Sequence, residues 1–190
     1  GEPVTFTGPV DAETRGIVLV HQEILLAPDL TVAQNLFLGR ELSNGLVVDD
    51  RAMNERAAKA VRGLGAEIDP RVVVGRLSIA QRQLVQIARA LLVPHRVAIF
   101  DEPTASLTPV ETEALLKVID DIRRSGIAVL YISHRLPEVK AIADTVSVLR
   151  DGHLVATHPA ADLQPVDMAR LMVGRDFSDL EARAHYAPGR

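Results

Sequence analysis

Val97-Ala98-Ile99-Phe100-Asp101-Glu102-Pro103-Thr104 sets four apolar residues directly before two carboxylates and a proline. A short apolar run of this kind, bounded by a turn signal, reads as a strand buried on both faces, as in a parallel sheet. The neighbouring segments fit that reading. Downstream, Thr108 is placed to cap a helix, with Pro109 at its first position and Glu111 completing a capping box. Leu115, Val118, Ile119 and Ile122 then form an apolar face, and Gly126 ends the helix. A second apolar run over 127–132 leads into Ser133-His134-Arg135. Upstream, Ser78 and Gln81 form another capping-box pair, ahead of Leu84, Ile87, Ala88 and Leu91 at helical spacing. Further upstream, the run 17–20 leads into His21-Gln22-Glu23. Strands alternating with amphipathic helices predict an α/β fold with a mostly parallel sheet flanked by helices.

The remaining segments fill in this plan. A further strand is expected over 4–6, followed by a Gly8-Pro9 turn, and a helix from about Arg51 to Leu64, capped by Asp49 or Asp50 and stopped by Gly65. Residues 38–48 read as a loop and 69–76 as a connector. Asp151-Gly152 between the alternating segments 145–149 and 153–157 predicts a C-terminal β-hairpin. From Arg175 onward periodicity is weak, and 177–190 reads as a linker or tail. The chain starts at Gly1, inside the first expected strand, which suggests a fragment or a true start lying upstream.

Composition narrows the possibilities. The 190 residues carry 25 acidic and 21 basic side chains, for a formal charge of -4, and 47% are hydrophobic. The longest apolar run, 127–132, is far short of the roughly 18 residues a membrane-spanning helix requires. No signal-peptide pattern opens the chain. With no cysteine there is neither a disulfide framework nor a thiolate metal site. Mild acidity, three lysines (59, 117 and 140) and no tryptophan argue against nucleic-acid binding. A soluble intracellular protein is expected.

Three of the expected strands deliver polar groups at their carboxyl ends, where open parallel sheets bind ligands. If these strands are neighbours, Gln22, Asp101, Glu102 and His134 share one crevice. An apolar strand followed by two acids is the Walker B arrangement, in which Asp101 would help hold Mg²⁺ and Glu102 would polarise an attacking water. A glutamine can ligate the metal or orient the water, and a histidine can hydrogen-bond a phosphate. The helix start at Ser78 offers a positive dipole end to a phosphate. Taken singly, each residue has a plainer reading. Asp101-Glu102 is then a strand-end turn, Gln22 a surface loop residue, His134 a cap and Ser78 an ordinary helix cap. Their joint placement favours the functional reading.

Leu77-Ser78-Ile79-Ala80-Gln81, Arg89-Ala90-Leu91, the run into Asp101-Glu102-Pro103-Thr104, and Ser133-His134 together resemble the ABC-transporter nucleotide-binding domain, in the expected order. His21-Gln22-Glu23 looks like its Q-loop. Thr31-Val32-Ala33-Gln34-Asn35, Phe37-Leu38-Gly39-Arg40, Ala105-Ser106-Leu107-Thr108 and Met172-Val173-Gly174-Arg175 resemble the ATP-binding subunits of bacterial simple-sugar importers, of the ribose, galactose and xylose type. The resemblance covers about residues 1–176 and implies a truncated, P-loop NTPase-like ABC domain from the N-terminal half of a tandem protein, with a helical subdomain at about 31–92.

That resemblance also implies a mechanism. Two nucleotide-binding halves pair head to tail around ATP and Mg²⁺. Gln22 would sense the metal and γ-phosphate. Ser78 and Gln81, with the Ile79 and Ala80 backbone between them, would contact that phosphate across the dimer. Asp101 would hold the metal, Glu102 would act as general base, and His134 would steady the γ-phosphate. Implied partners are transmembrane permease subunits, contacted by residues within about 31–62, a second ABC half, and indirectly a periplasmic or lipid-anchored sugar-binding protein. Nucleic acid is not among them. The implied location is cytoplasmic, peripheral on the inner face of the membrane.

Three departures qualify the transfer. No lysine lies in a Gly-x-x-x-x-Gly-Lys-Ser/Thr loop, so the chain by itself is expected not to hydrolyse ATP, and the P-loop's covering helix and strand are missing from the sheet. Ile79 and Ala80 stand where the signature has two glycines, which admit a phosphate closest to the backbone. Thr108 stands at the position of a common aspartate, as this branch often shows. Two alternatives follow: a non-catalytic ABC-like interaction module, and an ABC ATPase serving a nucleoside, an autoinducer or a polyol.

Overall fold

The computed structural model describes residues 3–45 and 47–174. Residue 1, the tail at 177–190 and Arg175 of the Met-Val-Gly-Arg element lie outside the described residues. Backbone contacts divide the chain into two compact units, one through Ile132 and the other from Ser133 onward.

The first unit opens with α1 (Pro9–Thr14) and β1 (Ile17–Val20), then α2 (Val32–Phe37). The short strands β2 (Ser43–Asn44) and β3 (Val47–Val48) follow, then α3 (Asp50–Gly63) and α4 (Ile79–Leu91). β4 (Val97–Asp101), α5 (Pro109–Arg124) and β5 (Ala128–Ile132) complete it. The three long strands form one parallel sheet in the order β1-β4-β5. Side chains alternate across it as the pleat requires. Val18, Val20, Ala98 and Phe100 are buried on one face, Phe100 completely, while Leu19, Leu130 and Ile132 on the other face are exposed. Packing against the sheet comes from α1 and α4 on β1 and from α5 on β5.

Every expected helix start is built from its cap. Ser78 Oγ accepts from Gln81 N–H at 3.2 Å, and Gln81 Oε1 accepts from Ser78 N–H at 3.0 Å. Thr108 and Glu111 repeat the arrangement at α5, and Asp49 caps α3 by accepting from Ala52 N–H. Gly126 takes the left-handed conformation that ends the α5 segment. The helix over 51–64 and the parallel strands thus match their expected positions to within a residue or two.

Several expectations are corrected. Residues 4–6 form no strand. The chain instead enters α1, because Pro9 suits the first helical turn, Asp11 accepts the Thr7 amide at 3.0 Å, and Arg15 lies over the Phe6 ring. The loop at 38–48 contains the β2–β3 pair, and the connector at 69–76 ends in a 3₁₀ turn at Val74–Arg76. In α4, the buried side chains are Ala80, Gln83, Val85, Gln86, Ile87 and Ala88, whereas Leu84 and Leu91 are only half-buried. Ile87 and Ala88 of the expected stripe are buried, but the buried set is wider than the stripe because the helix packs against α2, α3 and β1.

The second unit begins with α6 (Leu136–Ile142), followed by β6 (Thr145–Arg150) and β7 (His153–Pro159) paired as an antiparallel hairpin. Asp151 and Gly152 both have positive φ, 52° and 77°, as the predicted two-residue turn demands. A 3₁₀ turn at Ala160–Asp162 and α7 (Pro165–Val173) close the unit around Val146, Val148, Leu163 and Met168. Neither α6 nor α7 was foreseen, as both are short and have weak periodic signals. Among the described residues no helix is long and apolar enough to cross a membrane.

Candidate functional site

The parallel register pairs Val20 with Phe100, and Asp101 with Ile132. The exits of β1 and β4 therefore lie side by side, placing the segment His21-Gln22-Glu23 and the pair Asp101-Glu102 at the same end of the sheet. Gln22 is exposed, and both acids are half-buried. At Glu102 the chain leaves β4 abruptly. Its φ is 47°, a left-handed value that a non-glycine residue adopts at a cost of about 1 kcal/mol or more. The bend is pinned by Glu102 N–H donating to the Ile132 carbonyl at 2.9 Å, and by Ala105 N–H donating to the Glu102 carbonyl at 3.2 Å. Strain concentrated on one carboxylate at a strand exit is typical of a working position.

Asp101 and Glu102 offer hard oxygen donors, which suit Mg²⁺. Among the described residues, no three His, Asp or Glu side chains gather into a cage of their own. A site with one or two carboxylates fits a magnesium ion whose other ligands are waters and phosphate oxygens. His134 is exposed and lies in the second unit, after Ser133, whose hydroxyl accepts from Arg135 N–H at 3.0 Å.

The residues that resemble the signature motif sit at the start of α4. Ser78 is exposed, Ile79 is 49% exposed, Ala80 is buried and Gln81 half-buried. The capping box engages the Ser78 and Gln81 amides, leaving those of Ile79 and Ala80 outside both of its bonds. No acidic residue stands in the first turn, so no carboxylate offsets the positive end of the helix dipole. This terminus suits an anion. The Ile79 side chain, where a glycine would leave the backbone bare, narrows the approach.

Residues that the sequence reading passed over organise the segment after Gln22. Gln86, 7% exposed, accepts from Leu25 N–H and donates to the His21 carbonyl, both at 2.7 Å. Arg89 Nη1 donates to the Leu25 carbonyl at 3.2 Å. Fully buried Asn35 accepts from Ala27 N–H at 2.8 Å and donates to the carbonyls of Ala27, Leu30 and Thr31. A polar residue embedded between Val85 and Ile87 was the available signal for Gln86. For α2 the missed signal was the Thr31–Gln34 capping box. Beside this segment lies a cavity of about 380 Å³, whose walls include Leu25, Leu36, Leu38, Arg40 and Arg89. Arg40 also pairs with Glu13 of α1.

A parallel-sheet domain with this strand-end pair and this capped helix falls among the nucleotide-binding cassettes, and comparison with known proteins agrees. The ABC transporter family model matches residues 1–105, and the chain belongs to that family. Ribose import ATP-binding protein RbsA 3 of Rubrobacter xylanophilus is 50% identical over 180 residues, spanning 95% of this chain and 36% of that protein. Ribose import ATP-binding protein RbsA of Rhodopirellula baltica is 45% identical over 185 residues, spanning 97% and 36%. The chain thus spans about a third of the length of the curated relatives it matches. Among solved structures, a dimeric ATP-binding cassette in a post-hydrolysis state, bound to ADP and Pi, aligns with a TM-score of 0.68 at 22% identity, covering 80% of this chain and 66% of that one. The fold is that of an ABC cassette with a C-terminal hairpin, as the sequence predicts.

Proposed function

We propose that this chain is part of the ATP-hydrolysing subunit of an ABC importer for a simple sugar, contributing the Walker B acids, the Q-loop and the signature helix. The observation that carries the reading is the Asp101-Glu102 pair at the exit of β4, with the backbone strained at Glu102, beside the exit of β1 that leads to Gln22. The identity to ribose import ATP-binding proteins supports the cargo class.

In this reading Asp101 and Gln22 hold Mg²⁺, which when bound would neutralise charge developing on the phosphates. Glu102, at the bend with φ 47°, accepts a proton from the attacking water. Ser78 and Gln81 present the amide-lined start of α4 to the γ-phosphate of a nucleotide held by a second nucleotide-binding half. His134 steadies the γ-phosphate of the nucleotide served by Asp101 and Glu102, not the one that α4 meets across the dimer. The cavity beside the segment after Gln22 is walled in part by Leu36, Leu38 and Arg40, which supports residues within 31–62 as the surface met by the permease. The protein would then work at the inner face of the membrane, served indirectly by a sugar-binding protein outside.

The test is ATP turnover by the longer protein with its permease. Glu102→Gln is expected to slow hydrolysis by about 100-fold or more while the thermal shift produced by Mg·ATP is retained. Turnover unaffected by Glu102→Gln would overturn the assignment. A protein that neither hydrolyses nor binds ATP would favour the non-catalytic module, toward which Ile79 in the signature points.

A further inference from the structure

Gln86 has no role in the family pattern from which the site was read, yet it makes an unusual pair of contacts. Its side chain spans the loop holding Gln22: Nε2 donates to the His21 carbonyl and Oε1 accepts from the Leu25 amide, both at 2.7 Å. These partners are 65 and 61 residues away in sequence and flank the Gln22 segment on either side. Arg89, one turn further along the same helix, donates to the Leu25 carbonyl at 3.2 Å. Residues 21–30 contain no helix or strand, so no ladder of their own fixes this stretch. An amide side chain is the right chemistry here, because one residue must donate at one end of the loop and accept at the other. A carboxylate could do only the second, and an aliphatic side chain neither. Gln86 is itself buried, and both of its bonds are partly buried, reaching out to the exposed residues His21 and Leu25.

We propose that Gln86 is a positioning residue that clamps the Gln22 loop to α4, so that the loop and the signature end of that helix move as one body. The inference rests on the roles proposed above for Gln22 and the start of α4. Through the clamp, a displacement of the Gln22 loop by a partner shifts the amides of Ile79 and Ala80, and a phosphate seated at α4 holds the loop in place. Gln86 itself touches no substrate.

The test uses the longer protein assembled with its permease, comparing wild type with Gln86→Leu and the near-isosteric Gln86→Glu. Amide exchange at Leu25, which needs no nucleotide, should rise about fivefold in Gln86→Leu, the worth of one net hydrogen bond. In Gln86→Glu it should stay near wild type, because the carboxylate still accepts. Transport-stimulated ATP hydrolysis should fall about fivefold in both variants, with the thermal shift by Mg·ATP unchanged. Gln86→Glu should regain stimulation as the pH falls, because a protonated carboxyl can again donate to His21. Burial favours protonation while the Leu25 amide, Arg40 and Arg89 oppose it and Glu13 and His21 also face the cavity, so the recovery is read against wild type at each pH. Neither wild type nor Gln86→Leu should show that recovery.

Faster exchange with unchanged stimulation would overturn the proposal and leave Gln86 a structural staple. Unchanged exchange in Gln86→Leu would overturn the clamp itself. Should Gln86→Leu fail to fold, the pH recovery of Gln86→Glu still decides. A wild type that hydrolyses ATP while both variants couple normally sinks this inference alone. A wild type that does not hydrolyse ATP sinks the functional reading on which it rests, and the clamp is then judged by exchange at Leu25.

Discussion

The N-termini of α4 and α5 are close to identical in backbone design and opposite in electrostatics. Each opens with a hydroxyl residue whose oxygen accepts the N3 amide, and each N3 side chain returns a bond to the cap amide. At α5 the returning group is Glu111, which accepts from Thr108 N–H at 2.9 Å and from its hydroxyl at 2.7 Å. Those two bonds, the amide foremost, hold the Glu111 carboxyl below its ordinary range, so the positive end of the helix already has its anion. At α4 the returning group is neutral Gln81 and the first turn has no acid. One terminus is electrostatically closed. The other keeps its charge available, and it is the one whose residues resemble the signature motif. A capping box thus stabilises a helix whatever its third residue, and that residue decides whether the terminus also attracts an anion.

The sharpest way to break the comparison is to make α4 resemble α5. Gln81→Glu keeps the box but places a carboxylate where a phosphate is proposed to sit, so ATP turnover by the longer protein should fall about tenfold with little change in Tm. The reciprocal Glu111→Gln should leave turnover untouched. Equal effects from both would show that α4 is only a capped helix. A smaller effect should come from removing the caps. Ser78→Ala and Thr108→Ala should each cost about 1 kcal/mol in denaturant unfolding, and only Ser78→Ala should also weaken ATP-dependent turnover. The smallest effect is in pH. Because the folded carboxyl of Glu111 titrates below its reference of 4.5, its stabilising contribution is fully present above that value and is lost as the pH falls through the lowered one. Melting midpoints between about pH 7 and 3 should therefore drop less steeply in Glu111→Gln than in wild type, whereas Gln81 contributes no such slope.

Much of this was legible because the signals are local. Capping boxes at Ser78 and Thr108, the Asp151-Gly152 turn and the apolar runs ending at Val20, Phe100 and Ile132 each depend on a few adjacent residues, and each forms where the sequence placed it. The strand exits carrying Gln22 and Asp101-Glu102 were legible for the same reason. Residues 4–6 misled because apolar alternation marks a strand only if a neighbouring strand offers hydrogen bonds, and among the described residues none pairs there. The apolar stripe of α4 was right at Ile87 and Ala88 and wrong at Leu84 and Leu91, because periodicity assumes one buried face while this helix is covered on more than one side.

The sequence by itself determined the class of fold, the helix starts and the order of the motifs, since backbone sterics and capping chemistry act over three or four residues. Tertiary structure decided what depends on segments far apart in the chain. It set β1 beside β4 so that two strand exits share one end of the sheet, and it bent the backbone at Glu102. It also brought Gln86 against His21 and Leu25. A side-chain amide finds such partners only once packing has fixed which distant carbonyl and N–H lie within reach.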